Sequence, residues 1–152
     1  MTIDDLCNKL DGFSAGISRD VPDIVAETAV EYSKEAFTSK SYDGRPWEPA
    51  RTPKKTGSLL IESGALVNSI DVAKVTPNEV VISAGNSRVK YAQAHNEGHK
   101  GVISIPAHTR KGKPVEAHTR EIDIPARPFL GESRELLKDI KRRIEGFMSS
   151  YW

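Results

Sequence analysis

The residues with the clearest potential for chemistry in this sequence are its four histidines: His95, His99, His108 and His118. His95 and His99 are four residues apart with Glu97 between them, and imidazole and carboxylate groups are common zinc ligands. The order is His-Asn-Glu-Gly-His, however, and not the His-Glu-x-x-His of zinc proteases. Because Gly98 is expected to end a helix, His99 would not share a helical face with His95. We expect His95 to pack beside Tyr91 without a metal, and a small zinc hydrolase using the histidines is the alternative.

Other signatures of catalysis are missing from the sequence. Residues 98–101, Gly-His-Lys-Gly, have neither the glycine spacing of a phosphate-binding loop nor a Ser or Thr after the lysine. No nucleophile elbow and no cysteine–histidine signature is present. We therefore predict no catalytic residue, no cofactor and no metal, and conclude that the chain is not an enzyme.

A cluster of basic residues offers a second kind of chemistry, attraction to phosphate. Its members surround a predicted turn, and we call them the basic tip: Arg110, Lys111, Lys113 and Arg120. Contact with phosphates requires only positive charge, whereas base recognition in single strands uses aromatic stacking, and the tip contains no aromatic residue. The tip is thus either a solvated turn or a non-specific nucleic-acid contact, and a nucleic-acid-binding module remains an alternative function.

Composition and charge limit the classes that need to be considered. The 152 residues fit one domain, 1–152, and the formal net charge of +1 gives no global case for a nucleic-acid binder. The charge is unevenly placed, because residues 1–39 carry eight acids against three bases, and residues 40–130 carry 14 bases against nine acids. These two regions are either complementary between neighbouring copies or ordinary solvated surface.

The single cysteine and the apolar pattern indicate the compartment. Cys7 cannot form an internal disulfide and lies among apolar neighbours, which favours packing over reactivity. No apolar run is long enough to cross a membrane, and the start does not resemble a secretory signal. We expect a soluble protein made in a reducing cytoplasm.

The elements that must position these residues begin and end with helices. Apolar spacing predicts a short N-terminal helix or arm within residues 1–19, loosened at Gly12 and Gly16. Asp20 and Pro22 then indicate the start of a longer amphipathic helix over residues 21–39. A second strongly amphipathic helix is predicted over residues 136–148.

Between the helices the sequence predicts an arm and a small sheet. Residues 40–58 contain Gly44 and three prolines and are predicted to be an extended arm, whose Trp47 fills a pocket on its own domain or on a neighbour. Strands are predicted at residues 69–74 and 79–84, joined by a turn at residues 76–78, and a short helix at residues 88–97. Residues 102–105 and 122–124 are the arms of a long, projecting hairpin. The predicted class is α+β, with a small antiparallel sheet of about four strands packed with the two helices.

A connector at residues 124–131, Ile-Pro-Ala-Arg-Pro-Phe-Leu-Gly, joins the last strand to the last helix. Its two prolines restrict the backbone, so Arg127 is expected to be held in one direction. Phe129 and Leu130 offer an apolar anchor where the sheet gives way to the helix.

The order of these landmarks resembles a known family. They are Gly44-Arg45-Pro46-Trp47-Glu48-Pro49, then Leu60, Ser63-Gly64-Ala65-Leu66 and Ser69-Ile70, then Tyr91-Ala92-Gln93-Ala94-His95-Asn96-Glu97-Gly98, and finally the connector. Together they resemble the virion morphogenesis, or tail completion, family of tailed phages and prophages, over residues 21–147.

The resemblance implies structural work without catalysis. Members resemble neck and tail-terminator proteins, small α+β subunits that form rings around the DNA channel. The resemblance therefore implies that this chain forms a homo-oligomeric ring at the head–tail junction of the virion, and that the ring is assembled in the bacterial cytoplasm. The implied partners are other neck and tail proteins, such as the connector and the tail tube, with non-specific contact to DNA and none to membrane. The candidate interaction residues are Trp47, Tyr91, His95, Arg110, Lys111, Lys113, Arg127 and Phe129.

Overall fold

The chain begins with one long helix. The computed structural model describes residues 1–52 and 55–152, and α1 runs over Ile3–Ser39, 37 residues, or about 55 Å at the usual rise. It starts with a capping box, in which the Thr2 hydroxyl accepts from the Asp5 N–H at 3.1 Å and the Asp5 carboxylate accepts from the Thr2 N–H at 2.8 Å. It ends at Lys40, whose φ of 54° lies in the left-handed region.

The predicted break between a short N-terminal helix and a second helix at Pro22 was wrong. Pro22 is buried inside α1. An internal proline costs about 3 kcal/mol, so packing against the rest of the protein must offset it. Gly16, expected to loosen the chain, is instead buried where a Cβ would collide with the Tyr151 hydroxyl near the C-terminus.

The predicted extended arm also needs correction. It starts as a tight hairpin of β1 (Ser41–Tyr42) and β2 (Arg45–Pro46), whose turn residues Asp43 and Gly44 both have positive φ, as type I′ turns require. The chain then runs inward, so Trp47 is only 6% exposed. Pro53 and Lys54, which belong to the predicted arm, lie outside the described residues.

The middle of the chain follows the sequence pattern. A short helix, α2, covers Ala65–Asn68, and β3 (Asp71–Thr76) pairs antiparallel with β4 (Glu79–Ser83) through the predicted turn. The helix α3 (Ala92–Glu97) starts four residues later than predicted and ends at Gly98, whose φ of 80° favours glycine.

A long hairpin follows, spanning residues 99–124, and we refer to it as the hairpin. Its stem pairs β5 (His99–Ile105) with β8 (His118–Ile124), and its outer part pairs β6 (His108–Arg110) with β7 (Lys113–Val115). None of its 26 residues is buried, and its strands pack extensively only against each other. The prediction of two antiparallel arms that project is confirmed.

The last helix and the core complete the fold. Helix α4 (Arg134–Ser149) packs along α1 with an ion pair between Arg143 and Glu31. Just after α4, the ring of Tyr151 meets that of Phe13 edge-to-face at 5.5 Å. The main core lies where the end of α1 meets the connector, and its buried members are Ala36, Phe37, Tyr42, Trp47, Leu66, Ile70, Val89, Ala92 and Phe129.

The α+β class is confirmed, but the strands are arranged differently from the prediction. Within the described residues they form four separate two-stranded antiparallel ladders and not one sheet of about four strands. Each hairpin closes locally, and the ladder of β3 and β4 packs on α1 and not beside β5.

Candidate functional site

The connector is held by a buried arginine that binds the backbone of the Trp47 segment. Arg127 is 7% exposed, and its guanidinium donates to the carbonyls of Glu48 at 2.8 Å and Pro49 at 3.2 Å. The backbone N–H of Arg127 donates to the backbone carbonyl of His95 at 2.8 Å. As the flanking prolines predicted, Arg127 has a fixed direction, and it points into the protein.

Asn96 makes a second attachment that the sequence analysis missed. Its Oδ1 accepts from the N–H groups of Phe129 and Leu130, each at 2.9 Å, and its Nδ2 donates to the Leu130 carbonyl at 3.1 Å. Asn96 thus satisfies three backbone groups that have no strand partner. The only signal in the sequence is an amide side chain in the last turn before a helix-ending glycine.

Aromatic side chains complete the attachment of the connector. The indole N–H of Trp47 donates to the Pro128 carbonyl at 2.7 Å, and its ring stands edge-on to Phe37 at 5.3 Å. Phe37 in turn lies 5.0 Å from Phe129, which is fully buried. Trp47 and Phe129 therefore pack within their own chain.

The start of α4 is fixed to the turn between β1 and β2. Ser133 caps α4 by accepting from the Leu136 N–H at 3.1 Å, and its hydroxyl donates to the Asp43 carboxylate at 2.9 Å. Asp43 also accepts from the Glu135 N–H at 3.2 Å, and this bond, with that from Ser133, lowers the pKa of Asp43. Tyr42 donates to the Gly131 carbonyl at 2.7 Å, and burial raises the pKa of Tyr42 to about 12.

Tyr91 and His95 lie beside this core, in an open cleft. His95 lies beside Tyr91, as predicted, with the two rings edge-to-face at 5.6 Å, and Tyr91 is 43% exposed. The cleft has a volume of about 690 Å³, and Arg127 and Asp123 also line it. Asp123 accepts from Arg51 at 2.9 Å, which lowers the pKa of Asp123.

The basic tip is separate from the connector. Arg110, Lys111 and Lys113 are exposed, and Lys111 and Gly112 form a turn with φ of 51° and 75°. Within the described residues, none of the basic tip residues forms an ion pair. The tip therefore presents its charge to solvent.

The histidines do not assemble into a multi-ligand centre. His95 lies in α3 and His99 begins β5, on either side of Gly98. The rings of His108 and His118 are 6.5 Å apart, and the Nδ1 of each donates to the carbonyl two residues before it. Among residues 1–52 and 55–152, no three or more His, Cys, Asp or Glu side chains are placed to hold a metal ion.

Comparison with known protein families places the chain beside proteins of phage assembly. The model of a family described as phage virion morphogenesis matches residues 4–149, which include the connector, the cleft and the hairpin. No curated protein and no solved structure matches the chain. None of the helices in the described part of the chain has the length and apolar character needed to cross a bilayer.

Proposed function

Because the chain belongs to the phage virion morphogenesis family, we propose that it acts in tail completion and head–tail joining, as one subunit of a ring around the DNA channel. The family supports the broader statement that this is a structural or assembly protein of a phage virion. The family match over residues 4–149 is the observation that carries the proposal.

The placement of the predicted site residues supports a structural role. Trp47, Arg127 and Phe129 are buried, and the polar groups of Trp47 and Arg127 bind backbone carbonyls. Groups used in this way hold segments of the chain together and offer no substrate a reactive atom. The three residues fix the connector to the Trp47 segment, so the hairpin and α4 leave the core in defined directions.

A ring subunit needs two different surfaces that fit each other in neighbouring copies, because only such contacts close into a circle of more than two. The hairpin extends from the core without a buried residue, which suits a contact made outside its own subunit. Its basic tip suits passing DNA, since attraction to phosphate needs no fixed register.

Deletion of the gene from an inducible phage tests the proposal. Electron microscopy of the lysate is expected to show filled heads separated from tails, with unjoined or abnormally long tails. Supplying the wild-type gene from a plasmid should restore joined particles. Normal infectious particles from the deletion strain would refute the proposed function.

Location within the particle tests the same proposal independently. An epitope-tagged copy that restores infectivity should be labelled at the head–tail junction in purified virions. The genes for portal, capsid and tail-tube proteins should lie close by. Labelling only at the distal end of the tail would contradict head–tail joining.

A further inference from the structure

One face of the hairpin stem carries four isoleucines beside His99, Gly101, His118 and Arg120, and among the described residues the stem strands pack extensively only against each other. Cross-strand partners share a face, so alternate residues of β5 and β8 line the same side, and four of them are isoleucines: Ile103, Ile105, Ile122 and Ile124. Ile103 is 42% exposed, and the other three are half-buried. A two-stranded ladder alone in water is marginally stable, so a face of this kind favours a further packing partner.

The first half of α1 carries an apolar stripe that is also incompletely covered. Its members follow one another at steps of three and four residues, the spacing of a helix that packs along another element: Ile3, Leu6, Leu10, Phe13 and Ile17. The C-terminal residues Tyr151 and Trp152 lie 5.5 and 6.3 Å from Phe13 and cover the stripe there. Towards its start the stripe is open, because Ile3 is 79% and Leu10 47% exposed.

These two surfaces match in length. The stripe from Ile3 to Ile17 is about 21 Å long at the rise of a helix. From His99 to Ile105, β5 extends about 20 Å at the rise of a strand. A strand pair and a helix of equal length can pack along their whole extent.

They also match in charge. Residues 4–23 of α1 carry five acidic and two basic residues, whereas residues 108–120 of the hairpin carry four basic and one acidic. Two α1 segments brought together would repel each other, and so would two tips, but an α1 segment and a tip attract.

We propose that the isoleucine face of the hairpin of one copy docks on the α1 stripe of a second copy, with the basic tip beside the acidic start of that helix. The inference deepens the proposed ring-forming function and rests on it. Each copy offers one surface and receives the other, so the contact propagates from subunit to subunit and can close into a ring.

Cysteine cross-linking tests the contact, because the chain has one cysteine, Cys7, which is exposed beside the stripe. Wild-type protein can therefore form no disulfide-linked species larger than a dimer. Single Ile103→Cys, Ile105→Cys and Ile122→Cys variants, oxidised with copper phenanthroline, are expected to give a ladder of trimers and larger species with at least one of them. Ser104→Cys and Thr119→Cys, on the opposite face of the hairpin, are the matched controls and should give none.

Complementation between two defective variants tests the direction of the contact without thiol chemistry. Leu10→Asp damages the stripe and leaves the hairpin intact, and Ile103→Asp does the reverse. Each should weaken self-association more than about tenfold, as loss of a central apolar contact does. An equimolar mixture should form a 1:1 dimer that grows no further. Val75→Asp, at an apolar residue of similar exposure outside both surfaces, is the control and should associate like wild type.

Sedimentation of the purified variants and cross-linking inside assembled particles decide the outcome. In the cross-linking experiment, the docking proposal is overturned by ladders from the control face alone, by dimers alone, or by no ladder in either the purified protein or the particles. In the complementation experiment, it is overturned by a mixture of the two variants that stays monomeric. Rings that persist in particles carrying Ile103→Asp would refute this contact and leave the head–tail function standing. Normal particles after gene deletion would instead refute the function.

Discussion

The side-chain amide of Asn96 forms two hydrogen bonds with the backbone of Leu130. Its Oδ1 accepts from the Leu130 N–H at 2.9 Å, and its Nδ2 donates to the Leu130 carbonyl at 3.1 Å. The side chain thus takes the place of a strand neighbour. It ties α3 to the connector across 34 positions of sequence.

Replacing Asn96 should destabilise the whole fold. Asn96→Ala removes three hydrogen bonds to the backbone of Phe129 and Leu130, and we expect the free energy of unfolding to fall by about 3 kcal/mol. Urea unfolding followed by circular dichroism measures it. Gln93→Ala removes an exposed amide from the same helix, and a loss of equal size there would contradict the special role of Asn96.

Replacing each of the two tryptophans should cost very different amounts of stability. Trp47 is 6% and Trp152 is 74% exposed, so Trp47→Ala should cost about 3–5 kcal/mol and Trp152→Ala less than about 0.5 kcal/mol. Trp47→Phe should fall between them, because it keeps an aromatic ring but loses the bond to the Pro128 carbonyl. Thermal and urea unfolding of the three variants checks this order, and equal costs for the two alanine variants would refute it.

Asp43 should stabilise the protein in a pH-dependent way. Its carboxylate accepts from Glu135 and Ser133, so the pKa of Asp43 in the folded state lies below the ordinary 3.8. The stabilisation that the Asp43 carboxylate gives the folded state is therefore fully present above the ordinary pKa of 3.8, and it is lost as pH falls through the lower, folded-state pKa. Asp43→Asn should be less stable than wild type at about pH 7, and the gap should shrink towards about pH 3. Asp23→Asn, at an exposed position of α1, is the control, and a gap for Asp43→Asn that does not change with pH would contradict the assignment.

Arg127 should protect the Trp47 segment from proteases. Lysine cannot reproduce the two bonds to the Glu48 and Pro49 carbonyls, so Arg127→Lys should loosen the backbone there and speed trypsin cleavage at the exposed Arg51 and Lys55. We expect cleavage there to become about tenfold faster, as loss of bonds from a charged donor implies. Mass spectrometry of timed digests locates the cuts. The exposed Arg45→Lys serves as control, and unchanged cleavage in Arg127→Lys would be the contrary result.

Two glycines of α1 should give opposite results when changed to alanine. A Cβ at Gly12 meets nothing within 4 Å, so Gly12→Ala should stabilise the helix by about 1 kcal/mol. A Cβ at Gly16 would collide with the Tyr151 hydroxyl, so Gly16→Ala should lose that gain or destabilise the protein. Tyr151→Phe in the Gly16→Ala background should recover part of the loss. Equal gains at both positions in chemical denaturation would show that Tyr151 does not pack closely at Gly16.

Local signals in the sequence determined the elements whose structure depends on neighbouring residues. The amphipathic period of α4, the turn between β3 and β4, and the helix stop at Gly98 were all confirmed, as was the antiparallel hairpin. Side-chain periodicity and turn chemistry act over a few residues, so they can be read directly from the chain.

Only the tertiary structure decided how those elements are joined. Trp47 reaches Pro128 across 81 positions and Arg127 reaches Glu48 across 79, and neither partner is a side chain that a motif could identify, because both are backbone carbonyls. Tertiary packing also decides that α1 continues through Pro22. The local helix propensity of proline favours a break there, and packing against distant residues outweighs that propensity. Backbone partners and packing surfaces exist only once the chain has folded, so the sequence identified the connector as important while the structure determined what it holds.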